Sequence, residues 1–292
     1  MNGKLYLCAT PIGNLEDITL RTLRQLKSVD LIAAEDTRVS KKLLLHFGIQ
    51  VPVTSYYEHN KREKGNYLLE KLKNGMHIAV ITDAGMPGIS DPGEDLVRLC
   101  AREQIPVEVL PGPCAFATAL VGSGLPTGRF AFEGFLTVNK KNRMEHLNSL
   151  KTDTRTLIFY EAPHKLLTTL RDMYMVFGNR RLTLARELTK RFEEYRRTDL
   201  SDAITYYETN PPKGEFVLIL AGADPKEVHQ LFIADLPSAE ELIRKYAAEG
   251  MRAKELTKQV ADTLHQPRRE IYELYLRLKD ELGETSRCTG DK

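Results

Sequence analysis

The 292-residue sequence lacks several features that would place it in a common class of protein. It has no apolar run as long as a membrane-spanning helix, and its polar start is too brief for a secretory signal, so we read 5–9 as a first strand. Its four cysteines, Cys8, Cys100, Cys114 and Cys288, follow no metal-type spacing, so neither a zinc site nor a disulfide framework is predicted. We therefore expect a cytoplasmic protein with no membrane segment and no metal.

The two common nucleotide-binding signatures are also missing. Thr10–Asn14 (TPIGN) does not have the G-x-G-x-x-G spacing of a dinucleotide fingerprint, and no Walker A lysine follows a glycine-rich loop. A net charge of +2 does not by itself indicate a nucleic-acid partner. Any basic surface must therefore come from local clusters of lysine and arginine.

A loop rich in glycine and proline, Asp83–Gly93, follows the apolar run Ile78–Ile81. The run predicts a buried strand, so the loop lies at the strand's carboxyl end, where open α/β sheets bind ligands. Glycines let backbone N–H groups approach a ligand, while Pro87 and Pro92 stiffen the loop. We interpret the loop as a preorganised cradle for a small molecule, and a structural strand-to-helix turn is the alternative.

Strand and helix patterns alternate through the first half of the chain. Strands are predicted at 5–9, 31–34, 53–56, 78–81 and 107–110, and helices at 19–26, 41–47, 66–73, 94–103 and 114–121. This rhythm indicates a mainly parallel sheet covered on both faces. The turns Thr10–Asn14, Glu35–Arg38, Asp83–Gly93 and Pro111–Pro113 would then gather at one sheet edge, which predicts a site there.

The pattern changes near 122–134, where we place a domain joint. Beyond it, strands are predicted at 156–160, 182–185 and 215–221, and helices at 140–150, 165–175 and 200–209. Polar helices follow at 242–247, 253–264 and 268–282, similar to a small helix-turn-helix bundle. The predicted domains are 1–122, 123–224 and 225–292, with a ligand cleft between the first two.

The loops supply side chains that suit an adenosine-like or amino-acid-like ligand. Thr82 and Ser90 carry small hydroxyls, and Met86 and Ile89 would form apolar walls. Asp83 is expected either to bind a ligand hydroxyl or ammonium or to cap the helix that follows it. Asp36 is expected either to steer a substrate or to pair with Arg38.

Basic residues cluster in several places, and the clusters can be interpreted in two ways. The clusters are Lys140, Lys141 and Arg143; Arg180 and Arg181; Lys190, Arg191, Arg196 and Arg197; and Arg252, Lys254, Lys258, Arg268 and Arg269. Any single cluster is expected to be a solvated face. Several of them beside one cleft, with Phe192 and Tyr195 interleaved, would form a track for RNA phosphates.

Taken together in order and spacing, the motifs resemble the ribosomal RNA small-subunit methyltransferase I family, part of the tetrapyrrole-methylase-like class of S-adenosylmethionine enzymes. The segments that carry the resemblance are Thr10–Thr19, Ala34–Arg38, Asp83–Gly93, Pro111–Pro113, Phe132–Leu136, Tyr160–His164, Arg186–Lys190 and Gly214–Phe216. The chain departs from the family pattern at four positions. Met86 stands where Thr is usual, Cys114 where Ser is usual, Phe192 where His is common and Thr198 where Gly is common.

The resemblance implies an α/β fold with two α/β domains, the cofactor cleft between them and a small helical domain at the end of the chain. It also implies a homodimer. With S-adenosyl-L-methionine as the cofactor, the cradle and the resemblance predict the following cofactor contacts: Pro11, Gly13, Asp83, Ala84, Gly85, Met86, Pro87, Ile89, Ser90, Pro113, Cys114, Ala115, Tyr160, Glu161, Pro163, Glu187 and Gly214.

The reaction implied by the resemblance is 2′-O-methylation of a cytidine in the decoding region of small-subunit ribosomal RNA, on naked RNA or on the assembled 30S subunit. A sulfonium is already an activated leaving group, so no metal is expected. Asp36, Asp83 and Glu161 are the candidate catalytic residues. The predicted RNA contacts are Arg38, Lys140, Lys141, Arg143, Lys190, Arg191 and Arg196. Two alternatives stay open, a methylase of a small tetrapyrrole and a non-catalytic RNA-binding assembly factor.

Overall fold

The structure is a computed structural model that describes residues 2–228, 237–264 and 266–285. It contains two compact units, Met1–Ala223 and Asp224–Lys292. The first unit holds both sheets, so the predicted boundaries at 122/123 and 224/225 stay predictions. No helix in the described ranges is long and apolar enough to cross a membrane. Cys8, Cys100 and Cys114 are free thiols, and Cys288 lies outside the described residues.

The first sheet has five parallel strands in the order β3-β2-β4-β1-β5. Its elements are β1 Leu5–Cys8, α1 Leu20–Ser28, β2 Leu31–Ala34, α2 Thr37–His46, β3 Val53–Ser55, α3 Lys61–Lys73, β4 Ile78–Ile81, α4 Gly93–Arg102, β5 Val107–Leu110 and α5 Ala115–Ser123. Leu68 of α3 and Leu96 of α4 pack on one face, and Leu26 of α1 and Leu44 of α2 pack on the other. The predicted parallel sheet with two covered faces is confirmed.

The second sheet is mixed, in the order β6-β7-β10-β8-β9, and only β6 and β7 run parallel. Its elements are β6 Phe130–Phe135, α6 Lys140–Ser149, β7 Thr156–Glu161, α7 Pro163–Phe177, β8 Arg181–Arg186, β9 Glu194–Asp199, α8 Leu200–Thr209 and β10 Phe216–Leu220. Helices α6, α7 and α8 contribute to the core on one face. Helix α5, which leaves the first sheet, covers the other face through Ala119 and Leu120.

Helix α5 therefore connects the two sheets, because it follows the last strand of the first sheet in the chain and packs on the second sheet. Its residues AFATALVGS have almost no polar side chains, so they suit a helix with several apolar neighbours. Ala119 is fully buried and Leu120 is nearly so. As a result, the loops at the carboxyl ends of the first sheet face the second sheet within the same compact unit.

The structure differs from the sequence prediction at several element ends and in two strands, β6 and β9. Helix α2 begins at Thr37 rather than Lys41, because the Asp36 side chain accepts the Arg38 N–H and caps the helix. Strand β9 was not predicted, because its sequence EYRRTD has no apolar alternation. It is an edge strand with partly exposed residues, where charged side chains are tolerated and also prevent edge-to-edge pairing.

The described residues of the second unit include the helices Ala239–Ala248, Ala253–Leu264 and Arg268–Thr285. Ser238 begins the first of them with a capping box, in which its side chain accepts the Glu241 N–H and the Glu241 carboxylate accepts the Ser238 N–H. Leu242, Leu256 and Ile271 are buried in a small core that all three helices share. The predicted helical tail is confirmed.

Arg143 is one of the predicted RNA contacts. Its side chain is nearly buried in α6, and its Nε donates to Oδ2 of Asp172 on α7 at 2.7 Å. Its Nη1 donates to the carbonyl oxygens of Thr137 at 3.0 Å and Val138 at 2.9 Å. This guanidinium ties α6, α7 and the loop before α6 together, so Arg143 has a structural role, and its contact with RNA stays a prediction.

Replacing Asp172 with Asn tests this role, because the substitution keeps the side-chain size and leaves the Arg143 guanidinium buried without a carboxylate. We expect the free energy of unfolding to fall by ~3 kcal/mol in urea denaturation. The control is Glu208→Gln, which breaks the exposed pair between Arg171 and Glu208 and should change stability by less than ~1 kcal/mol. Equal, small effects for the two variants would contradict the structural assignment.

Candidate active site

Four turns meet at the carboxyl edge of the first sheet, as predicted. Thr10 and Gly85 form a backbone bridge, with N···O distances of 2.9 and 3.1 Å. The Asp36 N–H donates to Oδ1 of Asp83 at 3.1 Å, which links the turn after β2 to the turn after β4. The turn after β5 lies against the others, because a Cβ on Gly112 would be 2.7 Å from that of Ala9.

A cavity of about 460 Å³ lies between these turns and the second sheet. Ten of the predicted cofactor contacts line it: Ala84, Gly85, Met86, Ile89, Ser90, Cys114, Ala115, Tyr160, Glu161 and Pro163. The other lining residues are Ile12, Glu35, Thr82, Asp91, Phe135, Ala162, Ala185, Leu188, Glu215, Phe216 and Val217. Both sheets therefore contribute to one cavity, as expected for a ligand cleft.

The loop Asp83–Gly93 is held in shape by the carboxylate of Asp91. This carboxylate accepts the backbone N–H groups of Gly88 at 2.9 Å, Ile89 at 3.2 Å and Gly93 at 2.7 Å. A Cβ at position 93 would lie 2.8 Å from the Asp91 Oδ1, so only glycine allows this approach. The Tyr56 hydroxyl donates to the Pro92 carbonyl at 3.0 Å and anchors the loop from behind.

Three residues of this loop have left-handed backbone conformations. The φ angles are 88° at Gly85, 89° at Gly88 and 62° at Ser90. Such conformations turn successive backbone amides toward one side, and for a serine they cost free energy that the surrounding contacts must supply. The loop is therefore a preorganised backbone cradle, in agreement with its sequence-based interpretation.

The acidic residues at the edge of the first sheet differ in basicity. Hydrogen bonds from Arg38 to the Asp36 carboxylate lower the Asp36 pKa to about 2. Burial, followed by the negative charge of Asp83, raises the pKa of the Glu35 carboxyl, which lines the cavity. Burial also raises the pKa of Asp83, whose side chain is outside the cavity lining. Of these three carboxylates, Glu35 is therefore the one that both reaches the cavity and has increased basicity.

Glu161 ends β7 and is almost completely buried, at 3% exposure. One carboxylate oxygen accepts the Ala162 N–H at 2.8 Å, and the other accepts the Thr169 hydroxyl at 2.5 Å. Its neighbour Tyr160 accepts the Phe116 N–H through its hydroxyl oxygen at 3.2 Å, which fixes the ring against α5. Both side chains are thus held in place before any ligand arrives.

The charged residues of the lining are all acidic. Within the described range 2–228, the lining residues include Glu35, Asp91, Glu161 and Glu215 and no lysine, arginine or histidine. Three of these carboxylates already have partners in the chain, because Asp91 accepts backbone amides, Glu161 accepts Ala162 and Thr169, and Glu215 pairs with Lys190. In the part of the chain that the structure describes, no group of three or more His, Cys, Asp or Glu residues is arranged to hold a metal ion.

The remaining predicted cofactor contacts lie beside the lining. Pro11 and Gly13 flank Ile12, Asp83 and Pro87 belong to the cradle loop, and Pro113 precedes Cys114. Glu187 and Gly214 belong to a junction at the edge of the second sheet. A Cβ on Gly214 would be 2.5 Å from Cγ of Glu187, and one on Gly13 would be 2.5 Å from Cγ of Lys190. These two glycines therefore allow the junction to pack closely.

The other predicted RNA contacts divide into paired and exposed residues. The Lys190 ammonium lies 2.9 Å from Oε1 of Glu187 and 2.8 Å from Oε2 of Glu215, and Arg196 pairs with Glu194 at 2.6 Å. Residues in solvent are Lys140 and Lys141 at the start of α6, Arg191 after β8, and Arg38, which also pairs with Asp36. The exposed residues remain available to phosphate groups.

Sequence reasoning missed several lining residues. Asp91 had a local signal, because an aspartate before Pro-Gly in a turn often accepts neighbouring backbone N–H groups. Phe135 belongs to the segment Phe132–Leu136 that carries the resemblance, but it was not among the predicted site residues. Ala185, Leu188 and Val217 follow from tertiary packing, and no local pattern distinguishes their role from that of core residues.

Comparison with known proteins gives first the class and then the family. Residues 4–204 match the family of Tetrapyrrole (Corrin/Porphyrin) Methylases. Among solved structures, uroporphyrin-III C-methyltransferase from Thermus thermophilus, in complex with S-adenosyl homocysteine, matches with a TM-score of 0.53 and 19% identity, covering 79% of this chain and 100% of that one. This likeness confirms the predicted fold class.

Two proteins called ribosomal RNA small subunit methyltransferase I are much closer in sequence. The one from Synechocystis sp. is 47% identical over 95% of this chain and 99% of its own length. The one from Halalkalibacterium halodurans is 48% identical over 94% of each chain. The chain therefore belongs to the ribosomal RNA small-subunit methyltransferase I family within the tetrapyrrole methylases, as the sequence motifs indicated, and it is a methyltransferase.

Proposed function

We propose that this chain transfers the methyl group of S-adenosyl-L-methionine to the 2′-hydroxyl of a cytidine in the decoding region of small-subunit ribosomal RNA. The observation that carries the proposal is the cavity between the two sheets, with its backbone cradle. The names of the relatives support ribosomal RNA as the substrate. The choice of cytidine and of its ribose oxygen rests on the resemblance of the motifs.

The residues of the cavity suit this cofactor. Its adenosine requires both apolar walls and hydrogen bonds. Met86, Ile89 and Val217 would form such walls, and the left-handed backbone at Gly85 and Gly88 would supply amide groups. When bound, the cofactor supplies an electrophilic methyl group on a leaving group that is already activated. The bound cofactor of the Thermus thermophilus protein supports the same ligand class.

The chain itself must position the ribose hydroxyl and accept its proton. Glu35 is the proposed proton acceptor, because it lines the cavity and burial raises its pKa toward the value that general-base catalysis favours. Asp36 is a weaker base, with a pKa of about 2, and its carboxylate already binds Arg38. Asp83 and Glu161 are proposed as residues that orient the acceptor and the cofactor, and positioning of this kind accounts for much of the rate of such transfers.

An RNA substrate has to present its nucleotide away from a helix to reach an enclosed cavity. Sequence-specific proteins and enzymes that modify nucleotides commonly act on such splayed nucleotides. The exposed Lys140, Lys141 and Arg191 are proposed to bind the neighbouring phosphates. The assembled 30S subunit is the proposed substrate form, with naked RNA as the alternative. The cytoplasm is the proposed compartment, because the cysteines follow no disulfide or metal spacing and the relatives are ribosomal RNA methyltransferases of bacteria.

We also propose a homodimer, supported by uncovered apolar side chains on α5 and the adjacent strand. Val121 is 79% exposed and Phe130 is 41% exposed, and the Phe130 ring lies 6.2 Å from that of Phe116. Apolar side chains left exposed on packed elements are a feature of surfaces that another chain covers. Sedimentation equilibrium should give twice the chain mass, and Val121→Asp should shift the mass toward that of one chain. A single-chain mass for the wild type would contradict the dimer.

Methyl transfer from labelled S-adenosyl-L-methionine to small subunits, purified from cells that lack this protein, tests the function. We expect label in the RNA and 2′-O-methylcytidine after nucleoside mapping. Heat-inactivated protein and subunits from cells that contain the protein are the controls. Transfer to a porphyrinoid with none to RNA would favour the small-tetrapyrrole methylase, and tight RNA binding without transfer would favour the assembly factor.

The proton-acceptor role of Glu35 predicts a specific pH profile. Its carboxyl accepts a proton only above its raised pKa, so kcat should rise with pH through that value and then level off. In Glu35→Gln the plateau should fall by ~100-fold and the acidic limb should disappear, while the affinity for S-adenosyl-L-methionine changes little. Asp36→Asn should keep the acidic limb, because the Asp36 pKa of about 2 lies below the range of the assay, and should shift it toward lower pH, because the charge of Asp36 helps to raise the Glu35 pKa. A limb that persists in Glu35→Gln would exclude Glu35 as the base.

A further inference from the structure

Phe135 combines two properties that rarely occur together in a folded chain. Its side chain lines the cavity, and it is also 59% exposed to solvent. The ring lies 5.4 Å from that of Tyr160, the partly buried aromatic residue behind it. Single exposed apolar side chains are common on protein surfaces, so the distinguishing feature of Phe135 is that it is exposed within the lining of the cavity.

The placement depends on an irregularity in β6. In the register with β7, Phe132 pairs with Ile158, Gly134 with Phe159 and Phe135 with Tyr160, so Glu133 is an extra residue that forms a bulge. Side chains alternate along a strand, and Phe132 and Phe135 consequently share one face although they are three positions apart. Without the extra residue, Phe135 would lie on the face of Phe159, which is fully buried in the core.

The surroundings keep the bulge in this form. Gly134 has a φ of 64°, and a Cβ there would lie 3.5 Å from Oγ of Ser90 on the cofactor cradle. The Glu133 carboxylate lies 2.9 Å from Nε2 of His146 on α6. Downstream, Arg143 holds the carbonyl oxygens of Thr137 and Val138, so both sides of Phe135 are fixed. Bulges that redirect a side chain are frequent next to active sites.

We propose that Phe135 is a substrate-binding residue that stacks on the base of the splayed target nucleotide. The proposal rests on the RNA substrate of the proposed function and assigns the residue that would hold its base. An aromatic ring offers every base a stacking face, and the exposed side of Phe135 is free for it. Lys140 and Lys141 are exposed at the start of α6, five and six positions further along, where they complement the phosphates of the same strand.

Steady-state methyl transfer to small subunits that lack the modification tests the proposal, with three substitutions of Phe135. Phe135→Ala should raise the KM for subunits about tenfold to a hundredfold, since it removes one base–aromatic stack. Phe135→Leu, which keeps an apolar side chain without a ring, should show nearly the same loss. Phe135→Trp, which keeps an aromatic ring, should have a KM within about threefold of the wild-type value. Tyr174→Ala is the matched control, because Tyr174 is an exposed aromatic residue of α7 outside the cavity lining.

Calorimetric titration with S-adenosyl-L-methionine separates base stacking from cofactor binding. We expect all three Phe135 variants to bind the cofactor within about twofold of the wild type. Weaker cofactor binding, with an unchanged KM for subunits, would show that Phe135 is a wall of the cofactor site and would overturn the proposal. A wild-type KM for Phe135→Leu would also overturn it, since stacking needs a ring. Absence of transfer by the wild type would instead contradict the proposed function itself.

Discussion

The shape of the site depends on one carboxylate that binds three backbone amides. Asp91 fixes the positions of Gly88, Ile89 and Gly93, and through them the left-handed turns that form the cradle. Hydrogen bonds from amides to a charged acceptor are stronger than those between neutral groups, so a loop with few side-chain contacts of its own is held in one conformation. The same loop supplies the Thr10–Gly85 bridge and the contact with Gly134, and it therefore connects the first sheet to the second.

The two sheets contribute different chemistry to the cavity. The first provides backbone groups and the acidic edge near Glu35, because parallel strands place all their carboxyl ends on one side. The second provides aromatic and apolar surface, namely Tyr160, Phe135 and Val217, from strands whose other face is buried against α6, α7 and α8. Helix α5 packs on the second sheet, and Phe116 of α5 donates its N–H to Tyr160. The cavity therefore combines backbone groups from one sheet with aromatic and apolar surface from the other.

Local sequence signals were sufficient for the first sheet and insufficient for parts of the second. The strands at 31–34, 78–81 and 107–110 were predicted with their observed bounds, because buried parallel strands are short apolar runs between turns. Strand β9 and the bulge in β6 depend on pairing with a neighbour, which no local pattern encodes. Arg143 shows that charge patterns have the same limit. It belongs to a basic cluster in the sequence, yet its side chain is nearly buried and pairs with Asp172, 29 positions away.

The candidate site was predictable where the backbone forms it, and less predictable where side chains form it. The glycines and prolines of Asp83–Gly93 indicated a cradle, and ten of the predicted contacts line the cavity. The choice among carboxylates could not be made from sequence, because it depends on burial. Glu35 and Asp36 are adjacent, yet burial raises the pKa of the first and hydrogen bonds from Arg38 lower that of the second.

The central claim is that the cradle shaped by Asp91 binds S-adenosyl-L-methionine, and the affinity of Asp91→Asn for that cofactor tests it most directly. The substitution preserves the side-chain size but replaces one acceptor oxygen with an NH₂ group that cannot accept an amide N–H. Calorimetry should show affinity reduced by about tenfold or more. The control is Asp95→Asn on α4, which removes one negative charge from the pair with Lys61 of α3 and should bind the cofactor normally. Equal affinities for wild type and Asp91→Asn would contradict the account.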